Sequence, residues 1–404
     1  MTSVEELCSR RLVVCVGPGG VGKTTFAAAL AVEAAARGRR ALVLTIDPAR
    51  RLAGALGLDG LDDSVREVDV SSVVVAPSGV AGAAGAAAPG ALHAAMLDTS
   101  SSYDSLIARI APDENARDRI LGNRVYRAFS KTLARSHAYV AMERLYDVTL
   151  GDDYDLVVLD TPPMRSALEI LDAPRSLTRF LDDRVVRFFV GRVPDPIALD
   201  ETSPRSLTGA AALRVLGAIA SRELVEEMVG FFNLFASMRE GFAERARRVD
   251  ELLRGEDTSF VLVGSVDPAH LDDARAMRDG LIERELVPDL VVLNRSYAPE
   301  PTMRAGSGAA PVAPVEERAD ERLGRLFPGG TASMNPGTQN VIEVLEVLES
   351  LRRSLSREAH AARGRAAEFA GELPEGATAV VLPELEGDLT SLAALRHLVA
   401  LVDA

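Results

Sequence analysis

One eight-residue segment near the start of the chain combines glycines with a lysine and a hydroxyl residue at fixed spacing. Residues 17–24 read Gly-Pro-Gly-Gly-Val-Gly-Lys-Thr, which fits the pattern G-x-x-x-x-G-K-[ST]. Such glycines let backbone N–H groups turn toward phosphate oxygens, the Lys23 ammonium can reach the β and γ phosphates, and the Thr24 hydroxyl can ligate Mg²⁺. The segment therefore predicts a site for a nucleoside triphosphate with Mg²⁺, formed by Gly19, Gly20, Val21, Gly22, Lys23, Thr24 and Thr25.

Two aspartates each follow an apolar run, and carboxylates at strand ends lie where α/β sheets bind ligands. Asp160 closes the run Leu156–Leu159, a form in which the carboxylate holds Mg²⁺ through water. Asp47 follows Leu42–Ile46 and could orient the water that attacks the γ-phosphate. From its residue type alone, Asp47 could equally be a helix N-cap before Pro48.

The elements that would position these residues alternate between short apolar runs and helical stretches. This alternation is typical of an α/β fold with a mostly parallel sheet flanked by helices. The runs that predict strands are residues 12–16, 41–46, 156–159, 260–263, 290–293 and 379–382.

The alternation of strands and helices is interrupted twice, from about Leu92 to Leu150 and from about Ser176 to Leu253, where the sequence is of helical type. We therefore expect an α-helical subdomain inserted into a nucleotide-binding domain. The predicted division assigns residues 1–91, 151–175 and 256–404 to the nucleotide-binding domain, and residues 92–150 and 176–255 to the helical subdomain. Residues 297–315 are rich in Pro, Gly and Ala and predict a flexible loop, which could be a linker or a lid.

Charge and composition exclude several classes of protein. A net charge of −14 disfavours a protein that binds nucleic acid. Two cysteines cannot form a disulfide framework or a four-cysteine zinc site. The first residues lack the apolar core of a secretory signal, and residues 70–97 are too weakly apolar to span a membrane. We expect a cytoplasmic protein without stable membrane insertion.

Several motifs together resemble the ArsA/GET family of deviant-Walker ATPases, which is related to the MinD/ParA ATPases. The likeness is carried by residues 17–25, 45–50 and 160–163 and runs through most of the chain. The family includes the arsenite-pump ATPase and the chaperone that targets tail-anchored proteins. The resemblance implies a Mg²⁺-dependent ATP hydrolase that acts as a homodimer with ATP at or near the interface; a heterodimer with a paralogue is the alternative.

The resemblance also implies roles for single residues. Lys23 would hold phosphates, Thr24 and Asp160 would hold the metal, and Asp47 would orient water in the first switch segment. Asn294 matches the family's adenine-contacting asparagine, although a strand-end Asn can equally form a turn. Pro383 lies near the position of the family's adenine loop.

One position of the phosphate loop departs from the family pattern. The family usually has a lysine where this chain has Pro18, and that lysine reaches across the dimer to the partner's phosphates. Proline carries no charge, so residue 18 cannot make this contact. We hypothesise that Arg50 or Arg165, each beside a predicted switch segment, supplies the charge instead. The chain also lacks the thiol clusters of its relatives, which disfavours metalloid pumping and a structural zinc.

A helical stripe of apolar residues lies in the second helical block, at alternating spacings of four and three. Its members are Leu224, Met228, Phe231, Phe235, Met238 and Phe242. The stripe could pack on neighbouring helices, or it could line a groove that accepts an apolar helix from a client. The second reading predicts a targeting chaperone whose nucleotide-driven opening and closing controls client binding. The alternative is an ATPase subunit that energises or regulates a membrane transporter of the arsenite-pump type.

Overall fold

A computed structural model shows how the chain forms the predicted sheet. It describes residues 2–46, 50–62, 64–73, 90–97, 111, 113–124, 127, 137–182, 240–296, 336–385, 389 and 391–403. Within these residues the strands form one eight-stranded sheet in the order β3-β4-β2-β5-β1-β6-β7-β8. Their bounds are β1 Leu12–Val16, β2 Arg40–Thr45, β3 Arg66–Val68, β4 Ala91–Met96, β5 Leu156–Asp160, β6 Thr258–Ser265, β7 Leu290–Ser296 and β8 Thr378–Pro383.

The sheet is parallel except at one edge, where β3 runs antiparallel to β4. Every residue of β1 and β5 is buried, because both strands lie in the middle of the sheet under helices on both faces. Alternate residues of β1 belong to two buried clusters, with Val13 and Cys15 on one face and Leu12, Val14 and Val16 on the other. The predicted α/β fold is confirmed.

The helices cover both faces of this sheet. In chain order they are α1 Val4–Ser9, α2 Lys23–Ala36, α3 Arg50–Ala55, α4 Glu114–Gly122, α5 His137–Thr149, α6 Arg165–Asp182, α7 (residues 240–254), α8 Pro268–Ile282, α9 Pro336–Gly371 and α10 Leu392–Ala400. Helix α2 lies against β1, β2 and β5 and is largely alanine, a strong helix former whose small side chain allows close packing. None of the described helices is both long and apolar enough to cross a membrane.

One strand prediction is wrong. The sequence pattern predicts no strand between about Leu92 and Leu150, but Ala91–Met96 forms β4, which pairs with β2 and β3. The strand reads Ala-Leu-His-Ala-Ala-Met, and its alanines have little intrinsic preference for a strand. Pairing with β2 and burial decide its conformation instead. The predicted boundary between residues 91 and 92 therefore cuts through a strand, and the sheet extends to Met96.

Parts of the predicted helical blocks cover the sheet directly. Residues of α5 and α7 share one buried cluster with β1 and β5. Arg245 of α7 donates a hydrogen bond of 3.0 Å to the buried Glu143 carboxylate of α5, and its guanidinium lies 5.1 Å from the centroid of the Tyr146 ring. The division into a separate helical subdomain stays a prediction. The predicted loop at residues 297–315 lies outside the described residues.

Candidate nucleotide-binding site

The connection from β1 to α2 is a turn that depends on glycine. Gly17, Gly20 and Gly22 have φ angles of 142°, 78° and 101°, a region that residues with a Cβ rarely adopt. An added Cβ at Gly17 would lie 2.0 Å from the Val263 carbonyl oxygen. The loop therefore has a backbone conformation that favours glycine, and it lies close against β6. Its backbone N–H groups form a cradle at the start of α2.

Lys23 is the first residue of α2 and directs its charge into this loop. The side chain is buried, and its Nζ donates to the Pro18 carbonyl oxygen at 2.5 Å. The N-terminus of a helix favours an anion through its unpaired N–H groups and its dipole. An ammonium and a helix N-terminus directed at one glycine turn form a site suited to phosphate oxygens.

Asp160 connects this loop to two neighbouring strands. Its buried Oδ2 accepts hydrogen bonds from the Thr24 hydroxyl at 2.7 Å and from the Thr45 hydroxyl at 3.0 Å. Thr45 ends β2 and stands in register with Asp160 at the end of β5, so the sheet itself brings these groups together. A hydroxyl and a carboxylate are the hard oxygen ligands that Mg²⁺ prefers, so the donor set fits a magnesium ion.

The segment after Asp160 contacts both β1 and the phosphate loop. The Thr161 hydroxyl donates to the Cys15 carbonyl oxygen at 2.8 Å, and the Met164 N–H donates to the Gly17 carbonyl oxygen at 3.4 Å. Met164 has a φ of 44°, an uncommon value for a residue with a side chain. A strained turn thus joins the candidate metal ligand to the start of α6.

The other side of the loop is braced by the end of β7. The buried Asn294 side chain donates through Nδ2 to the Val21 carbonyl oxygen at 2.9 Å. The next residue, Arg295, donates from a guanidinium nitrogen to the Gly20 carbonyl oxygen at 3.1 Å. Asn294 therefore holds the loop, and its predicted contact with adenine stays a prediction. Pro383 ends β8 and pairs with Ser296, close to this end of β7.

Sequence reasoning missed Thr45 and Arg295 as parts of this site. Thr45 touches Asp160, 115 residues away in sequence, and Arg295 touches Gly20, 275 residues away. The signal that could have found Thr45 is its place at the end of an apolar run beside the run that ends at Asp160. Nothing in the residue type of Arg295 signals its contact. That contact depends on a left-handed backbone, with a φ of 56°, which an arginine in the sequence does not predict.

Of the two candidate arginines for the missing loop lysine, the structure describes the side chain of Arg165 but not that of Arg50. Arg165 is the first residue of α6; its side chain is 92% exposed and pairs with Glu169 at 3.1 Å. An exposed pair of this kind contributes little to stability. Arg50 is the first residue of α3, and its side chain lies outside the described residues, as does all of Asp47.

The predicted client stripe is described only at its last member. Phe242 is buried on α7, with 6% of its surface exposed. The five preceding members, from Leu224 to Met238, lie outside the described residues. The structure therefore describes the stripe only at Phe242, on α7, one of the helices that cover the sheet.

Both cysteines lie inside the fold. Burial raises the pKa of the Cys8 thiol to about 12. Burial, and then the nearby Asp160 carboxylate, raises the pKa of the Cys15 thiol well above its usual range. The thiolate is the form that binds soft metals and reacts with electrophiles. Neither cysteine is thus suited to metalloid chemistry in the folded protein.

Replacing Gly22 by alanine is expected to weaken ATP binding at least about tenfold, because strained backbone conformations cost about 1–3 kcal/mol. The new Cβ would also lie 2.5 Å from the Asn294 amide nitrogen. Calorimetric titration with ATP measures the change. Gly54→Ala is the matched control, because a Cβ there meets no atom within 4 Å and alanine suits a helix. Equal ATP affinity of the two variants would contradict the account of the loop.

Comparisons with known proteins point to one family. Residues 10–71, which include the phosphate loop, match the ArsA ATPase family model, described as anion-transporting ATPase. The chain is 29% identical over 317 residues to Uncharacterized protein SCO2128 of Streptomyces coelicolor, covering 78% of this chain and 69% of that protein. It is 45% identical over 58 residues to the ATPase ARSA1 of Chlamydomonas reinhardtii, covering 14% of this chain and 8% of that protein. The loop, the sheet and these matches together support a relationship of the chain with the ArsA/GET-like family of P-loop ATPases.

Proposed function

We propose that the protein is a Mg²⁺-dependent ATP hydrolase whose nucleotide state opens and closes a homodimer. The observation that carries this proposal is the hydrogen bond of 2.7 Å between Thr24 and Asp160 beside the buried Lys23. It supports the proposal because a hydroxyl and a carboxylate, two oxygen groups that suit Mg²⁺, meet beside the loop that would hold the phosphates. The reaction converts ATP and water to ADP and phosphate.

Each residue of the site has one task in this mechanism. Lys23 and the loop N–H groups hold the β and γ phosphates, and Thr24 and Asp160 hold Mg²⁺. The metal, when bound, neutralises charge on the phosphate oxygens. Thr45 fixes the Asp160 carboxylate through its hydrogen bond of 3.0 Å. Asp47, two residues beyond Thr45, orients the attacking water, a task that is mainly positioning.

The turn after Asp160 provides a path from the nucleotide to the helices. Thr161 and Met164 contact β1 and the phosphate loop, and α6 begins at the next residue, Arg165. Helix α6 packs on α5, which the Arg245–Glu143 ion pair ties to α7. Movement of this turn on ATP binding would therefore reach the helical layer and shift the population between open and closed dimers.

Two roles for this cycle are supported by different observations. The apolar stripe from Leu224 to Phe242, which ends on α7, favours a chaperone that binds hydrophobic client segments. The family description, anion-transporting ATPase, favours a subunit that energises or regulates a membrane transporter. We favour the chaperone role, because the buried thiols of Cys8 and Cys15 do not offer the soft ligands that metalloid transport needs.

A variant arrested with ATP tests this choice. Asp47→Asn is expected to bind ATP but to hydrolyse it about 10²-fold more slowly, because water is no longer oriented. Co-expressed with a reporter that ends in one 20-residue apolar helix, this variant should retain the reporter in ATP and Mg²⁺. Lys23→Ala is the control and should retain none.

The stripe itself supplies the second control. Met228→Asp combined with Phe235→Asp in the Asp47→Asn chain should release the reporter without changing ATP binding. Retention that is insensitive to these two changes would argue against the chaperone role. Recovery of a stoichiometric transporter in its place would support the alternative.

A further inference from the structure

The candidate metal ligands give the proposed nucleotide site a direction. Thr24 and Asp160 meet where β5 runs beside β1, so the phosphates that carry the metal belong at that side of the loop. In the order of the sheet, β6, β7 and β8 follow β1 on the opposite side. Ligands of open α/β sheets bind outside the carboxyl ends of the strands. We therefore expect the nucleoside end of the triphosphate, which points away from the metal, to lie on the side of β7.

Arg295 is the residue at this end of β7 whose side chain faces solvent. It is exposed, whereas its neighbours Asn294 and Ser296 are buried. Its left-handed φ of 56° coincides with a shift in the register of β7 against β8. Such a conformation costs free energy in a residue with a side chain, and it occurs often at ligand sites. The chain thus turns an arginine out of the sheet beside the phosphate loop.

The Arg295 guanidinium is anchored to the loop and still has donors and a flat face to offer a ligand. One of its five N–H groups donates to the Gly20 carbonyl oxygen at 3.1 Å. Among the described residues no carboxylate pairs with it, whereas Arg396, for example, pairs with Glu33 at 2.8 Å. An added Cβ at Gly20 would meet no atom of the described residues within 4 Å, so there is open space beside the anchor.

We propose that the Arg295 guanidinium is a platform on which the base of the bound ATP stacks. A planar guanidinium stacks on aromatic rings, and nucleic-acid bases stack on arginine planes in protein complexes. The hydrogen bond to Gly20 orients the guanidinium before the nucleotide binds, so less side-chain entropy is lost on binding. Its positive charge adds attraction to the π face of the base. The inference rests on the proposed function, because it requires ATP in this site.

The peptide geometry of the loop disfavours a direct contact of Arg295 with the phosphates. In a trans peptide unit the C=O and the following N–H point in opposite directions, and the described residues contain no cis peptide bond. Arg295 binds the Gly20 carbonyl and Asn294 binds the Val21 carbonyl. The N–H groups of Val21 and Gly22 therefore point away from these two side chains. The guanidinium lies on the side of the loop opposite the N–H groups that would hold phosphates.

Calorimetric titration of the full chain with ATP and with tripolyphosphate, both with Mg²⁺, tests the proposal. Tripolyphosphate offers the phosphates without a base, so the wild-type chain should bind ATP more tightly. Arg295→Ala should reduce the affinity for ATP about tenfold relative to the affinity for tripolyphosphate. Any effect of the lost anchor on the phosphate loop weakens both ligands alike and cancels in this ratio.

A conservative variant and a matched control accompany Arg295→Ala. Arg295→Lys keeps the charge and a donor for the Gly20 carbonyl but has no plane, so its ratio should fall between those of wild type and Arg295→Ala. Arg66→Ala removes another exposed arginine, which pairs with Asp62 at 2.7 Å on β3, at the opposite edge of the sheet. It should leave both affinities unchanged.

Three results would overturn the proposal. An equal loss for both ligands in Arg295→Ala would make Arg295 an anchor of the loop alone. A greater loss for tripolyphosphate than for ATP would make it a cation for the phosphates. In both cases the proposed function would stand, because the wild-type chain binds the triphosphate. A wild-type chain that binds neither ligand would contradict the proposed function itself and this inference with it.

Discussion

Replacing Lys23 by alanine is expected to abolish measurable ATP hydrolysis and to weaken ATP binding about 10- to 100-fold. The buried ammonium lies 2.5 Å from the Pro18 carbonyl oxygen, inside the loop that would enclose the phosphates. Hydrogen bonds to charged groups contribute about 1.5–3 kcal/mol, which sets the loss in binding. Hydrolysis suffers further, because charge on the phosphate oxygens is redistributed in the transition state. Calorimetry and phosphate release measure the two effects.

Two further variants separate charge from geometry in this prediction. Lys23→Arg keeps the charge, but its broad planar guanidinium does not fit a position built for an ammonium, so hydrolysis should still be lost. Arg37→Ala removes a cation from the opposite end of α2, where Arg37 pairs with Glu33 at 2.9 Å, and should leave both measurements unchanged. ATP binding by Lys23→Ala at wild-type affinity would contradict the assignment of the loop.

Replacing Asp160 by asparagine is expected to remove the Mg²⁺ dependence of ATP binding and to slow hydrolysis at least about 10²-fold. The change preserves the size of the side chain and an oxygen for the Thr24 and Thr45 hydroxyls, but it removes the carboxylate that fits the metal. Titrations of ATP with and without Mg²⁺ measure the loss directly. Binding of ATP alone should change little, because the phosphate cradle is intact.

The control for this variant lies at the other end of the same strand. Asp155 immediately precedes β5 and pairs with Arg40 at 2.7 Å, in a surface position that contributes little to stability. Asp155→Asn should therefore keep the wild-type response to Mg²⁺. An Asp160→Asn chain that still binds Mg²⁺ with ATP as tightly as wild type would exclude Asp160 as a metal ligand.

The sequence pattern predicts six of the eight described strands, including β8 at one edge of the sheet, and misses the neighbouring strands β3 and β4 at the other side. Strands β1 and β5 read as continuous apolar runs, because burial on both faces selects apolar residues at every position. Strand β3 at the sheet's edge has three residues, two of them charged and exposed, and gives no such run. Strand β4 is not recognised for a different reason. Its alanines have little preference for a strand, and pairing with β2 compensates for this low preference. Both misses come from contacts that a single sequence does not record.

The candidate site, too, has a part that the sequence predicts and a part that depends on contacts made only in the fold. The phosphate loop is local, so its residue types and spacing are enough to predict it. The hydrogen bond of Thr45 to Asp160 and that of Arg295 to Gly20 depend on strand register and on backbone conformation, so they emerge only from the fold. The predicted roles of Asp47 and of the stripe from Leu224 to Met238 stay predictions, because these residues lie outside the described part of the chain.

Calorimetric titration of ATP into the wild-type chain, with Mg²⁺ and again with EDTA, tests the central claim most directly. The claim is that residues 17–24 and Asp160 form one site for ATP and Mg²⁺. The account predicts saturable binding of one ATP per chain, tighter with Mg²⁺ than with EDTA. Absence of saturable binding under both conditions, or an affinity that does not respond to Mg²⁺, would contradict it.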